Sequence, residues 1–310
     1  MPKADFKNVS SDWFRASEAA GDCMNIRYGR IRKGSDQVEW RFVSHCECDG
    51  IGGFGRLLRQ QGIHLPHLPE TKHSERRFLR PLWNRWIDRN HPKPCANRTD
   101  WKPQTNPENS EPSVGWKLFS EEETRHIVDQ CRGLKVTVNS YLLKQLDRAA
   151  RPEIRRPSEA LSWMVPVNLR GDVKYADDTA NHVSCIEPHI TEDDTPQSIQ
   201  HQILHRLHRG EHRANFLLLS LGCLLSHAVK VKLLRIDRSK PEGNIGAFSN
   251  LGVWKINPDP TEDEGWVFCP PRVAGQLLGA GCVTFNGRLG ICIQGASAEQ
   301  IMHRWIEHIR

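Results

Sequence analysis

The sequence has no long apolar run and no apolar segment near its start. Its longest apolar stretch, 216–225, is about half the ~20 residues that a membrane-spanning helix needs. Residues 1–14 contain no apolar core of the kind found in secretory signal peptides. We therefore expect neither a signal peptide nor a transmembrane segment, and we interpret 216–225 as a buried helix or an apolar surface.

The sequence also lacks the character of a disulfide-rich secreted domain. It has 10 cysteines among 310 residues, whereas disulfide frameworks belong to short, cysteine-dense secreted chains. Because no signal peptide is expected, we predict reduced thiols and a cytoplasmic protein.

A strong charge of one sign is missing as well. The 43 Lys and Arg and 37 Asp and Glu leave a net charge of +6. Such an excess does not single out nucleic acid, and it suits a phosphorylated small ligand equally well. Hydrophobic residues make up 38%, enough for the core of one large α/β unit or of two modest lobes. A nucleic-acid-binding protein remains an alternative that depends on charge alone.

Strand and helix patterns alternate along the chain. Residues 24–29 and 37–44 predict a hairpin, and Leu57 and Leu58 open a short helix after it. Ser120 and Glu123 have the spacing of a capping box. The remaining elements are a buried central strand at 162–169, a strand at 182–188, helices at 197–213 and 216–235, a hairpin turning at 286–287, and a C-terminal amphipathic helix from 297. The mixture predicts an α/β (α+β) protein with a mixed sheet.

A histidine and a carboxylate lie in a glycine-rich turn where the second predicted strand ends. His45 is followed by Asp49 and Gly50, and then by further glycines at 52, 53 and 55. Histidine is the side chain best suited to take a proton near neutral pH. A nearby carboxylate can orient its ring, and glycine lets a ligand approach closely. For this motif alone, a structural histidine is the favoured interpretation and a catalytic histidine is the alternative.

Five segments in order resemble the CoA-dependent acyltransferase superfamily of condensation domains, alcohol acetyltransferases, wax ester synthases and chloramphenicol acetyltransferase. Residues 45–50 resemble the second half of its HHxxxDG signature. The others are a helix start like TVNDxLL at 136–143, a strand like PVNLR at 165–171 with Asn181 after it, a segment like SNLG at 249–252, and a hairpin at 286–289 before a final helix.

This resemblance implies a two-lobed, chloramphenicol-acetyltransferase-like fold with mixed sheets. It also implies an acyltransferase that moves an acyl group directly from a CoA or carrier-protein thioester to an alcohol or amine, with His45 as general base. The expected partners are acyl-CoA or an acyl carrier protein and a small-molecule acceptor, without nucleic acid. Acyl-CoA would be a co-substrate, and we expect no permanently bound cofactor and no metal.

The resemblance also implies roles around the histidine. Asp49, with Gly50 beside it, would hold the site together through a salt bridge to an arginine of the other lobe, for which Arg170 is the candidate. Ser249 or Asn250 could contact the substrate or donate a hydrogen bond to the oxyanion.

Two departures from the family pattern stand out. Ser44 replaces the first histidine of the signature. The segment before the motif is also much shorter than in the family, which implies an abbreviated N-terminal lobe. We predict an N-terminal lobe with a linker over 1–112 and a C-terminal lobe over 113–310. A non-catalytic, condensation-like protein that binds a carrier domain or another partner is the alternative function.

Two clusters raise other possibilities. The cysteines beside His45 do not form a zinc site, since no second Cys/His pair has the required spacing. Histidines at 201, 205, 208 and 212 predict one stripe of a helix, interpreted as a polar surface with metal binding as the alternative. The basic run 230–235 predicts a solvated face, with contact to a membrane surface or to CoA phosphates as the alternative.

Overall fold

The computed structural model describes residues 8–34, 37–71, 81–84, 113–155, 160–240, 243–256, 263–295 and 297–309. In chain order, the helices α1–α8 are Val9–Ala19, Gly50–Gln60, Glu121–Gly133, Val138–Ala150, Pro196–His208, Glu211–Gly222, His227–Ser239 and Ala298–Ile309. The strands β1–β10 are Asn25–Arg32, Val38–Ser44, Ser113–Leu118, Leu161–Asn168, Val183–Ile186, His189–Ile190, Gly246–Trp254, Asp263–Cys269, Leu278–Phe285 and Arg288–Gly295. None of the helices in these ranges is long and apolar enough to cross a membrane.

A large mixed sheet forms the main body of the protein. Its strands run in the order β3-β10-β9-β7-β4-β5, and β6 also pairs with β4. The pairs β4–β7 and β7–β9 are parallel, whereas the other pairs are antiparallel. Helices α4, α5 and α8 contribute to the core on this sheet, in which Trp163, Phe248 and Trp305 are buried. The α/β fold with a mixed sheet is therefore confirmed. The strand predicted at 162–169 is buried and lies inside the sheet, but it is one strand from the edge and not central.

A small sheet of order β2-β1-β8 carries the histidine motif. It lies against β9 and β10, and glycine permits this contact: a Cβ on Gly290 would lie 2.0 Å from the carbonyl oxygen of Trp266. The predicted hairpin is confirmed as β1–β2. Its third strand, β8, comes from the part of the chain assigned to the C-terminal lobe. The division at residue 112 stays a prediction, because 85–112 lie outside the described residues.

Three helix predictions differ from the structure. The helix after the motif begins at Gly50, with Asp49 as its N-cap, and not near Leu57. The helix expected over 197–213 ends at His208, because Gly210 adopts a left-handed conformation with φ of 74°. The stretch 216–235 forms parts of two helices, α6 and α7.

Candidate active site

His45 and Asp49 are placed by the junction between β2 and α2. The backbone N–H of His45 donates to the carbonyl oxygen of Met24 at 2.7 Å, which extends the hairpin to the histidine. Asp49 Oδ1 then accepts from the N–H of Gly52 at 2.8 Å and caps α2. A Cβ on Gly52 would lie 2.0 Å from the carbonyl oxygen of Thr179, so glycine allows this helix turn to lie directly on the β4–β5 connection.

The Asp49–Arg170 ion pair that the resemblance implies is present. Arg170 Nη1 lies 2.9 Å from Asp49 Oδ2, and both side chains are only 5% exposed. Arg170 also donates to the carbonyl oxygens of Asp178 and Ala180, at 3.0 and 3.1 Å. The N–H of His182 donates to the same Asp49 oxygen at 2.8 Å. These bonds join the start of α2 to the connection between β4 and β5.

The ring of His45 is oriented by an amide on that connection. Its Nδ1 lies 3.0 Å from the carbonyl oxygen of Cys48 and 3.1 Å from Asn181 Oδ1. Asn181 Nδ2 donates to the carbonyl oxygen of His45 at 2.8 Å and to Ser11 Oγ at 2.7 Å. A carbonyl can only accept, so the amide nitrogen must face it and Oδ1 must face the ring. Both partners of Nδ1 are therefore acceptors, and the neutral ring carries its proton there, leaving Nε2 unprotonated.

The surroundings of His45 favour the neutral imidazole. Burial lowers the pKa of His45 below its usual range, although the nearby Asp49 carboxylate acts in the opposite direction. The ring of Phe14, from α1, lies against it with a centroid distance of 4.0 Å. The histidine is therefore available as a base at neutral pH.

A cleft opens beside this histidine. It encloses about 520 Å³ of empty space, its open mouth included, and its wall is mostly apolar. It is lined by all six residues that the sequence singled out: His45, Asp49, Gly50, Arg170, Ser249 and Asn250. The structure thus brings together motifs that lie far apart in the chain.

Ser249 and Asn250 lie on β7, opposite the histidine motif. Asn250 Oδ1 accepts from the N–H of Gly252 at 2.8 Å, and Gly252 has a φ of 80°, which suits glycine. The pairing of β7 with β9 shifts register between Asn250 and Val253. Because Asn250 Oδ1 holds this irregular turn, its amide nitrogen is the group that a ligand oxygen could use.

Sequence reasoning missed a second imidazole in the cleft, that of His182. Its Nδ1 contacts the carbonyl oxygen of Ala180 at 2.9 Å, so the neutral ring is unprotonated at Nε2. Burial lowers its pKa as well. Its position directly after Asn181, at the start of β5, was the available signal, because that motif was already placed near the site.

The predicted histidine stripe is divided between two helices. His201, His205 and His208 are exposed on α5, as expected for a polar surface. His212 is buried on α6, so the prediction of one continuous stripe is wrong. The described residues contain no group of three or more His, Cys, Asp or Glu side chains arranged to hold a metal.

Comparisons with known proteins agree with the fold. No protein-family model and no curated protein sequence matches the chain. Among solved structures, polyketide synthase associated protein 5 from Mycobacterium tuberculosis is similar with a TM-score of 0.55 and 15% identity, over 93% of this chain and 75% of that one.

Two further structures show the same likeness. The epimerization domain of tyrocidine synthetase B has a TM-score of 0.52 and 11% identity, over 87% of this chain and 67% of that one. The trichothecene 15-O-acetyltransferase of Fusarium sporotrichioides has a TM-score of 0.52 and 13% identity, over 88% of this chain and 65% of that one. The chain therefore has the fold that these three proteins share.

Proposed function

We propose that this protein is an acyltransferase that moves an acyl group from a CoA or carrier-protein thioester to an alcohol or amine. The observation that carries the proposal is the placement of His45: two acceptors fix its Nδ1, so that the neutral ring would present an unprotonated Nε2, in the wall of a cleft. A general base needs these properties. The nine cysteines in the described ranges are free thiols, which supports the proposed cytoplasmic location.

In the proposed reaction, His45 Nε2 takes the proton of the acceptor hydroxyl or amine as that group attacks the thioester carbonyl. The tetrahedral oxyanion receives a hydrogen bond from Asn250 Nδ2 or Ser249 Oγ. When the intermediate collapses, the C–S bond breaks, and the departing sulfur takes the proton from the His45 imidazolium. The products are the acylated acceptor and a free thiol, and no acyl-enzyme forms.

Asp49 has a structural role in this scheme. Its Oδ1 accepts from Gly52, and its Oδ2 accepts from Arg170 and His182. Because both oxygens are engaged and the carboxylate faces a guanidinium, Asp49 is poorly placed to carry a proton. Its contribution is to hold the β2–α2 junction against the connection that supplies Asn181.

The second imidazole extends the proposal to substrate binding. His182 lines the same cleft, and its Nε2 can accept a hydrogen bond from a substrate hydroxyl or amide. We assign His182 to holding the acceptor, because a neutral ring beside Arg170 can take a donor without adding charge.

The test is release of free thiol from acyl-CoA and acyl-carrier-protein donors with a panel of alcohols and amines. We expect His45→Ala to reduce kcat about 10²- to 10⁴-fold. The matched control is His303→Ala, whose side chain is 77% exposed on α8, and it should keep the full rate. Thermal unfolding shows whether both variants are folded.

Each failure has a distinct meaning. Full activity in His45→Ala would rule out this histidine as the base. If the unmodified protein releases no thiol from any donor but binds a carrier domain, the non-catalytic alternative is correct instead.

A further inference from the structure

Seven large apolar side chains are exposed within a short span of sequence along α6, the turn after it, and α7. We call them the α6–α7 apolar face. Leu221 and Leu224 are 60% and 72% exposed, whereas isolated exposed leucines elsewhere need no explanation. The face consists of Leu218, Leu221, Leu224, Leu225, Val229, Leu233 and Ile236. The interpretation of 216–225 as an ordinary core helix is thus wrong, and its alternative, an apolar surface, is confirmed.

Helix α7 is inverted with respect to an ordinary surface helix. Its apolar residues Val229, Leu233 and Ile236, spaced i, i+4 and i+7, point to solvent. Its buried residue is instead Lys230, 2% exposed and ion-paired with Asp12 of α1, while Val231 and Leu234 are half-buried. Arg238 pairs on the same side with a further buried carboxylate after α1. The prediction of a solvated basic face over 230–235 is therefore wrong for Lys230.

The outward apolar residues thus lie outside the core clusters that the described residues form. The ion pairs already fix α7 against α1. Keeping leucine, valine and isoleucine on the outer side exposes apolar area to water, which is unfavourable unless another apolar phase covers it.

The charges beside the α6–α7 apolar face indicate what kind of surface covers it. Lys232 and Arg235 are exposed on α7 beside the apolar residues, and Lys240 follows the helix. Asp237 is the only acidic residue within 226–240, and it pairs with Lys240 at 3.2 Å. The α7 side of the face is therefore cationic through Lys232 and Arg235, which is complementary to an anionic surface.

We propose that the α6–α7 apolar face docks on an anionic phospholipid bilayer. Aliphatic residues flanked by Lys and Arg form the pattern of helices that lie in a membrane interface. Protein–protein hot spots instead favour Trp, Tyr and Arg, with Leu and Val under-represented, and this face has no aromatic residue. The protein binds the bilayer peripherally, through the sides of α6 and α7.

Helix α1 contacts both α6, which carries part of the docking face, and the histidine site. Trp13 of α1 donates to the carbonyl oxygen of Leu219 on α6 at 2.9 Å. The next residue, Phe14, lies against His45, and Ser11 contacts Asn181. A bilayer on the face would thus be linked to the histidine site through α1. The docking itself does not depend on the proposed reaction.

The test is co-sedimentation of the full chain with vesicles of phosphatidylcholine alone and with added phosphatidylglycerol. We expect stronger binding to the anionic vesicles. Leu221→Ser with Leu233→Ser should weaken it at least about tenfold. Lys232→Gln with Arg235→Gln should weaken only the anionic component, on the order of tenfold. Leu134→Ser, an exposed leucine at the end of α3, is the matched control and should bind as the unmodified protein does.

Three results would overturn the proposal: no sedimentation with either vesicle, equal loss in the Leu134→Ser control, or a dimer in solution that the Leu221→Ser, Leu233→Ser variant converts to monomer. The last would make the face an interface between two copies. Circular dichroism confirms that each variant is folded. Because binding is measured without substrate, failure here would leave the proposed reaction untouched.

Discussion

Two buried ion pairs of almost equal geometry occupy different parts of the molecule. Asp147 and Arg151 lie 2.8 Å apart within one stretch of helix, with side chains 0% and 6% exposed. Asp49 and Arg170 lie 2.9 Å apart and are both 5% exposed, but they come from distant segments. The first pair is local and contacts Trp163 in the large core. The second joins α2 to the β4–β5 connection at the cleft.

The difference concerns what each pair fixes. A local pair on one helix positions little beyond that helix and its neighbours. A long-range pair determines where two segments meet, and here those segments supply His45 and Asn181. Because the two pairs are similarly buried, breaking either one should lower the free energy of unfolding by a similar amount. Only breaking the Asp49–Arg170 pair should also disturb the site.

The largest effect should come from removing one arginine of each pair. Arg170→Leu and Arg151→Leu each leave a buried carboxylate without its partner, which costs about 3–5 kcal/mol of unfolding free energy. Only Arg170→Leu should also reduce the rate per folded molecule, because the histidine motif loses its anchor. Urea unfolding gives the stability, and thiol release at equal folded concentration gives the rate. Equal rates in the two variants would remove the distinction between the pairs.

A smaller effect should separate two buried asparagines. Asn181→Ala removes one of the two acceptors at His45 Nδ1 and should lower kcat about fivefold, since one hydrogen bond is worth about 1 kcal/mol. Asn215 is similarly buried and donates to the carbonyl oxygen of Cys185 at 2.8 Å, away from the cleft lining. Asn215→Ala should lose comparable stability but keep kcat. Steady-state kinetics of both variants decide whether Asn181 acts on the base.

The smallest effect should appear in the pH profile. Burial lowers the pKa of His45, so kcat/KM should be constant at neutral pH and fall on acidification only below about 6.5, when the ring becomes protonated. The Asp49 carboxylate raises this pKa, so Asp49→Asn should move the acid limb to lower pH, whereas Asp147→Asn should not move it. An acid limb above 6.5 in the unmodified protein would contradict the buried, neutral ring.

The same lowered pKa values bear on stability. His45 and His182 bind fewer protons in the folded state than in the unfolded chain. Unfolding free energy should therefore decline as the pH falls from about 6.5 towards their lowered folded pKa values.

The sequence predicted the elements that depend on local chemistry. The Ser120–Glu123 capping box is present, and Asn286-Gly287 turns the β9–β10 hairpin. The Asp49–Arg170 pairing followed from the resemblance to a family, because the spacing of two residues so distant in the chain carries no direct signal. All six residues that the motifs singled out line one cleft in the structure. Their chemical roles stay proposals.

The parts that the sequence did not predict depend on tertiary contacts. Glycine disfavours helix, so the glycines after Asp49 predicted a turn. In the structure, the absence of a side chain at Gly52 lets α2 meet Thr179. We predicted that Lys230 is exposed, because burying an ammonium group is costly. Its burial is possible because Asp12 of α1 forms an ion pair with it. His182 had only its position next to Asn181 as a signal, and its place in the cleft depends on the tertiary fold.

The pairing of β1 with β8 has a consequence for how the chain folds. Arg27 pairs with Cys269 and Arg32 with Asp263, so one edge of β1 stays unpaired until a strand far later in the chain has been synthesised. Contacts of such long sequence separation slow folding, and an unpaired strand edge is prone to association. The β1–β2 hairpin, which carries His45, is thus expected to be prone to aggregation until β8 has been synthesised. A chain truncated before β8 should aggregate.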